Sequence, residues 1–153
     1  MSAMSPDPVG GTDQSRLAIT IDTAPKPEDI AQVRAGLRAF NEAAVGPAAI
    51  QPLALYVRDG AGTIRAGLVG YLAWRWLTID LLWVEESLRG QGYGAALLRE
   101  AERTAREAGC IAVRLDTFEF QARPFYEHHG YHVFAELEGY PAGTRQYFLT
   151  RTL

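Results

Sequence analysis

A chain of 153 residues, 48% hydrophobic and 22% charged, has the size and composition of one globular domain. Its formal net charge of -3 argues against a nucleic-acid partner, which calls for a basic stripe, and no apolar run approaches the ~18 residues of a membrane span. A single cysteine, Cys110, allows no intrachain disulfide and suits a reducing cytoplasm, where it reads as a buried, inert thiol.

Residues Met1 to Ser15 contain neither Lys nor Arg and are rich in Ser, Pro, Gly and Asp, so 1–15 is expected to be a disordered leader and 16–153 a single domain. Leu17, Ile19 and Ile21 alternate with polar or small residues, the period of a first strand closed by Pro25 and Pro27. Ile30, Val33, Leu37, Phe40 and Ala44 follow helical spacing and predict a helix from Glu28 to Asn41, ended by Gly46 and Pro47. Leu53 to Arg58 and Ile64 to Ala73 flank Asp59-Gly60-Ala61-Gly62, a strong hairpin signal. Gly67 and Gly70 interrupt the second of these strands, where a missing side chain permits close backbone approach or a bulge. After Trp74-Arg75-Trp76, Ile79 to Val84 reads as a buried strand.

Arg89 to Gly94, RGQGYG, then opens an amphipathic helix whose apolar face is Leu97, Leu98, Ala101, Ala105 and Ala108 and whose stop is Gly109. A helix N-terminus carries unpaired N–H groups and partial positive charge. Ser, Thr, Asp and Asn usually cap it, and none lies between Arg89 and Gly94. Arg89 adds a fixed cation, so the expected guest is a phosphate or pyrophosphate. The glycine spacing from Gly90 does not fit the dinucleotide fingerprint, and a Walker loop would need Lys followed by Ser or Thr. Ile111, Val113 and Leu115 predict a further strand, Gln121 to His128 a short helix between Pro124 and Gly130, and Tyr131 to Leu137 and Gln146 to Thr152 the last two strands. A hairpin run followed by strands separated by helices implies an α/β fold with a mixed sheet.

Strand, Arg, glycines and helix in this order resemble the acyl-CoA signature of the GNAT superfamily of N-acyltransferases, Arg or Gln, two residues, Gly, one residue, then Gly or Ala, which Arg89, Gly92 and Gly94 fill. PFYEHHGYHVF, Pro124 to Phe134, is similar to that family's later helix and strand, and most of Leu17 to Leu153 can be laid on its element order. The resemblance implies a mostly antiparallel central sheet flanked by helices, with a parallel step across the long central helix. It also implies acetyl-CoA as cosubstrate, held by Leu82, Trp83 and Val84 of the strand and by Arg89, Gly90, Gln91, Gly92, Tyr93, Gly94 and Ala95 of the turn. Where the family often has an Asn, Glu119, Phe120 and Gln121 stand here, and Gln121 is the amide expected in its place.

Acyl transfer to an amine needs a polarised carbonyl, a neutral amine and a proton for the leaving thiolate; it needs no metal. Tyr126 matches the family tyrosine that gives this proton, and a phenol is protonated at neutral pH. Asp80, a carboxylate in an apolar strand, is the candidate base. Strand period puts it on the side of Val84 unless a bulge intervenes, and Glu85, Glu86 and a water chain compete with it. His128, His129 and His132 lack metal-ligand spacing. The expected activity is transfer of acetyl to a primary amine, small molecule or protein, by direct attack. The rival is a noncatalytic acyl-CoA-binding module. Tyr140 and Pro141, rigid apolar area on a polar loop, are expected to border the acceptor site or a homodimer contact.

Overall fold

The computed structural model describes residues 18–153, so the leader and Leu17 lie outside the described residues. The chain divides into two compact units, Met1–Asn41 and Glu42–Leu153. In the first, residues 18–22 form no strand; alternation makes a strand only where a ladder takes up its backbone groups. Helix α1, Pro27–Val45, is four residues longer at its C-terminal end than its apolar spacing predicts, and Gly46 at φ 83° stops it. Pro27 opens it and Glu28 and Asp29 fill its first turn, which complements the helix dipole.

The second unit carries a six-stranded sheet in the order β1-β2-β3-β4-β6-β5. Its strands are β1 (Gln51–Arg58), β2 (Ile64–Ala73), β3 (Trp76–Val84), β4 (Ala112–Phe118), β5 (His132–Glu138) and β6 (Arg145–Thr152). Among these, only β3 and β4 pair in parallel; the other neighbours are antiparallel. Helix α2, Tyr93–Glu107, makes the crossover between that pair, and the short α3, Arg123–His128, links β4 to β5. The expected mixed, mostly antiparallel sheet with one parallel step is the observed one.

The core lies on the sheet face that meets α2. Leu97, Leu98, Ala101 and Ala105 of α2 pack there with Leu68, Leu77, Ile79, Val113, Leu115 and Leu149. One buried side chain of α2 is charged: Glu102, 2% exposed. It accepts from Arg151 at 2.9 Å on both oxygens and from the Tyr131 hydroxyl at 2.9 Å, so helix, last strand and the turn after α3 are fastened at one point. A buried carboxylate is tolerated only when its lone pairs are filled in this way. Glu102→Gln should therefore lower stability by about 3 kcal/mol, near the low end for a broken buried pair, because the Arg151 side chain keeps 31% exposure. Urea unfolding checks it: the midpoint falls with an unchanged slope.

The hairpin and the β2–β3 ladder carry the two local features that shape the site. Asp59 Oδ1 accepts from the N–H groups of Ala61 and Thr63, closing the expected β1–β2 loop. Farther on, the β2–β3 register slips: Val69 pairs with Leu81 but Gly70 with Ile79, leaving Asp80 as the extra residue of a bulge. Gly70 is what permits it. A Cβ there would stand 2.1 Å from the Thr78 carbonyl oxygen, a backbone atom that cannot rotate away. Gly70→Ala should accordingly destabilise at or beyond the upper end of the ~1–3 kcal/mol usual for overpacking. A thermal scan reads it; unchanged melting would show that the bulge is soft.

Candidate functional site

The bulge reverses the strand's alternation. Leu77 and Ile79 face the core before it, and Leu82 and Val84 pack on the core after it, so the inward parity changes from odd to even. Asp80, which plain alternation from Val84 would turn inward, instead shares the outer face with Thr78. The same residues mark where the parallel pair opens. β3 and β4 are paired from Trp76 and Ala112 to Ile79 and Leu115 and no farther. Beyond that fork β3 stays laddered to β2 up to Val84, and its other edge, Asp80 to Val84, has no strand against it. An unpaired edge presents N–H and C=O groups to any guest in the gap.

A cavity of about 770 Å³ occupies this gap. At one end lies the turn into α2. Gly90 and Gly92 take φ of 74° and 85°, the left-handed region that disfavours a side chain, and neither would have any atom within 4 Å of an added Cβ. Gly94 differs: its φ is ordinary, and a Cβ would only touch Phe125 at 3.5 Å and Val84 at 3.7 Å. The first backbone bond into the helix runs from Ala96 N–H to the Gly92 carbonyl, and no side chain caps the end. The N–H groups of Tyr93, Gly94 and Ala95 are left directed outward, as an anion requires. Arg89 is oriented across the turn by its Nε, which donates to the Val84 carbonyl at 3.2 Å.

At the other end stands Tyr126 of α3, 6% exposed. Its ring packs edge-on against Phe125 and Tyr131, at 5.1 and 5.8 Å between centroids. Among the described residues its hydroxyl makes no hydrogen bond, yet the one sealed and unpartnered side-chain atom is Thr144 Oγ1. The Tyr126 hydroxyl therefore opens into the cavity it lines. Burial, and after it the charge of Asp116, push this phenol up to about 12. It holds its proton across the physiological range.

A relationship to known proteins is found over most of the chain. The model of the Acetyltransferase (GNAT) family matches residues 19–131. The chain belongs to this GNAT acetyltransferase family. It is 40% identical over 105 residues to the blasticidin-S acetyltransferase of Streptomyces morookaense, covering 68% of this chain and 77% of that protein. Among solved structures, an acetyltransferase from Bacillus cereus is 32% identical with a TM-score of 0.77, covering 88% of this chain and 98% of that one. A chain from Agrobacterium tumefaciens is 30% identical with a TM-score of 0.85, covering 90% and 100%.

In this GNAT fold the cavity gathers Asp80, Leu82, Trp83, Val84, Arg89, Gly90, Gly92, Tyr93, Gly94, Ala95, Gln121 and Tyr126 of the expected residues. Gln91 is not among the residues that line the cavity; its amide donates to the Ser87 carbonyl at 2.8 Å and fastens the turn. Gln121 lines the cavity but spends its carbonyl oxygen on Phe118 N–H at 2.8 Å and Thr117 Oγ1 at 3.2 Å, so only its NH₂ is left for a guest. Of the competing bases, Glu85 is locked in an ion pair with Arg65, whose hydrogen bonds hold its carboxyl below the usual range; neither Glu85 nor Glu86 lines the cavity. His129 is engaged locally, its Nδ1 2.7 Å from the Phe125 carbonyl. Among the cavity residues that sequence reading did not assign, Asp116 and Phe120 bring a charge and an aromatic ring to the wall.

Proposed function

We propose that this GNAT acetyltransferase moves an acetyl group from acetyl-CoA to a primary amine by direct attack. What carries the reading is that one cavity joins an uncapped, glycine-opened helix N-terminus to a free strand edge and to an unpartnered, protonated tyrosine hydroxyl. These suit the three parts of the cosubstrate in order: N–H groups and Arg89 for the pyrophosphate, the edge of Leu82 to Val84 for the amide-bearing arm, and Tyr126 for the sulfur. Bound acetyl-CoA would supply a thioester carbonyl and a thiol leaving group.

The chain's own groups supply the rest. Backbone donors fixed along the β3 edge favour charge developing on a carbonyl oxygen, because they need no reorganisation. Tyr126 holds the proton that the departing sulfur requires. Asp80 and Asp116 stand at the fork as acceptors for the proton that an attacking ammonium must lose. Incubation with acetyl-CoA and a panel of amines tests the reading: free thiol should appear at a rate that depends on amine and on enzyme. Heat protection by CoA with no thiol released from any amine would make the protein a binding module instead.

The raised phenol sets a pH dependence. Exposed tyrosine loses its proton near ~10, whereas Tyr126 keeps it to about 12. Turnover at saturating amine should therefore show no loss of the acid between pH ~8 and ~10. An alkaline decline in that window that disappears in Tyr126→Phe would show that the phenol is not shielded as the structure has it.

A further inference from the structure

The outer side of the fork is chemically distinct from the phosphate end. Asp116 alternates with the buried Leu115 and Thr117 on β4 and so faces outward. Parallel register pairs Ile79 with Leu115, which sets Asp80 and Asp116, each the next residue, as matching positions on the two arms of the fork. Gln146 Nε2 donates to Asp116 Oδ2 at 2.7 Å, fixing the carboxylate and leaving Oδ1 free. The hydroxyl of Tyr126, a residue only 6% exposed and unpartnered among the described residues, opens into the same cavity.

Next to the carboxylates the wall becomes aromatic. Phe120 lines the cavity and is 66% exposed. Phe118 stacks on it with centroids 5.3 Å apart and planes within 2°, and Tyr140, 56% exposed, tilts against Phe118 at 5.9 Å. The turn that carries Phe120 is tied down, Glu119 N–H donating to the Arg145 carbonyl at 2.8 Å and Gln121 Oε1 accepting from Phe118 N–H. Flat rings held open to solvent in a fixed row offer stacking area that an aliphatic wall does not.

Resting on the acetyltransferase reading, we propose that the acceptor is a flat, ring-bearing polycationic amine: Asp80 and Asp116 take its positive charge, and its ring lies on the Phe120 shelf continued by Phe118 and Tyr140. Two carboxylates at the fork exceed what one attacking amine needs, so a second cationic group on the acceptor is matched as well. The aromatic shelf favours a flat ring over a flexible polyamine as acceptor, since both gain the cation–π attraction of the ring faces but only a ring adds stacking area.

Three probes separate these features: p-xylylenediamine, with a flat ring and two ammonium groups; 1,4-bis(aminomethyl)cyclohexane, with the same charges on a puckered ring; and 4-methylbenzylamine, with the flat ring and one charge. The expected kcat/KM for p-xylylenediamine exceeds that for the cyclohexane analogue about five- to tenfold, a gap that closes in Phe120→Leu through a rise in acceptor KM. It exceeds that for 4-methylbenzylamine about tenfold, and Asp116→Asn closes this second gap without touching the first. Equal kcat/KM for all three probes in the wild type, a ring gap that survives Phe120→Leu, or a charge gap that survives Asp116→Asn overturns the inference while leaving acetyl transfer intact. Absence of thiol release with every probe overturns the underlying reading and the inference with it.

Discussion

Replacing Gly92 by Asp should abolish stabilisation of the protein by CoA. A ligand that binds only the folded state raises stability by about 2.7 kcal/mol at a hundredfold excess over its dissociation constant, and the wild type should show that shift with CoA and acetyl-CoA but not with NAD. The substitution removes it twice over. Gly92 sits at φ 85°, where a side chain is strained, and a carboxylate there would lie against the N–H groups that would otherwise meet phosphate. Gly94→Ala is the control, because its φ is ordinary and its neighbours stand at contact distance; the CoA shift should survive it. A melting shift with CoA that persists in Gly92→Asp would place the phosphates elsewhere.

Tyr126→Phe should leave folding and acetyl-CoA binding nearly intact and lower turnover by about 10²–10⁴-fold, the usual worth of general acid catalysis. The separation is clean here because the hydroxyl has no hydrogen bond to lose among the described residues, while the ring contacts with Phe125 and Tyr131 remain. Asp80→Asn supplies the contrast: a lost base slows turnover chiefly at low pH, where neutral amine is scarce. Wild-type turnover in Tyr126→Phe, with acetyl-CoA bound normally, would make Tyr126 a packing residue.

The parts of this site that were legible in the sequence are those fixed by local backbone demands. An uncapped glycine turn before an amphipathic helix is legible in a dozen residues, and Gly90 and Gly92 do adopt the left-handed conformation that only glycine takes readily. Gly70 announced a close approach, and the structure supplies it as a 2.1 Å clash for any Cβ. Its consequence was not legible: a single extra residue at Asp80 reverses which side chains of β3 face the core, and strand alternation cannot reveal its own interruption. Asp116 was invisible for another reason. An outward carboxylate on an alternating strand is ordinary, and only the pairing of Ile79 with Leu115, 36 residues apart in number, brings it to the fork beside Asp80. The strand expected over Leu17 to Asp22 shows the converse error, since residues 18–22 have the alternation of a strand without forming one.

The arrangement of donor, acid and fork is tested most directly by a crystal structure with CoA bound. The account predicts pyrophosphate oxygens within hydrogen-bond distance, about 3 Å, of the N–H groups of Tyr93 to Ala95, the arm along the free edge of Leu82 to Val84, and the sulfur beside the Tyr126 hydroxyl with Asp80 and Asp116 on its far side. CoA seated with its phosphates away from the glycine turn, or with its sulfur out of reach of Tyr126, would contradict it.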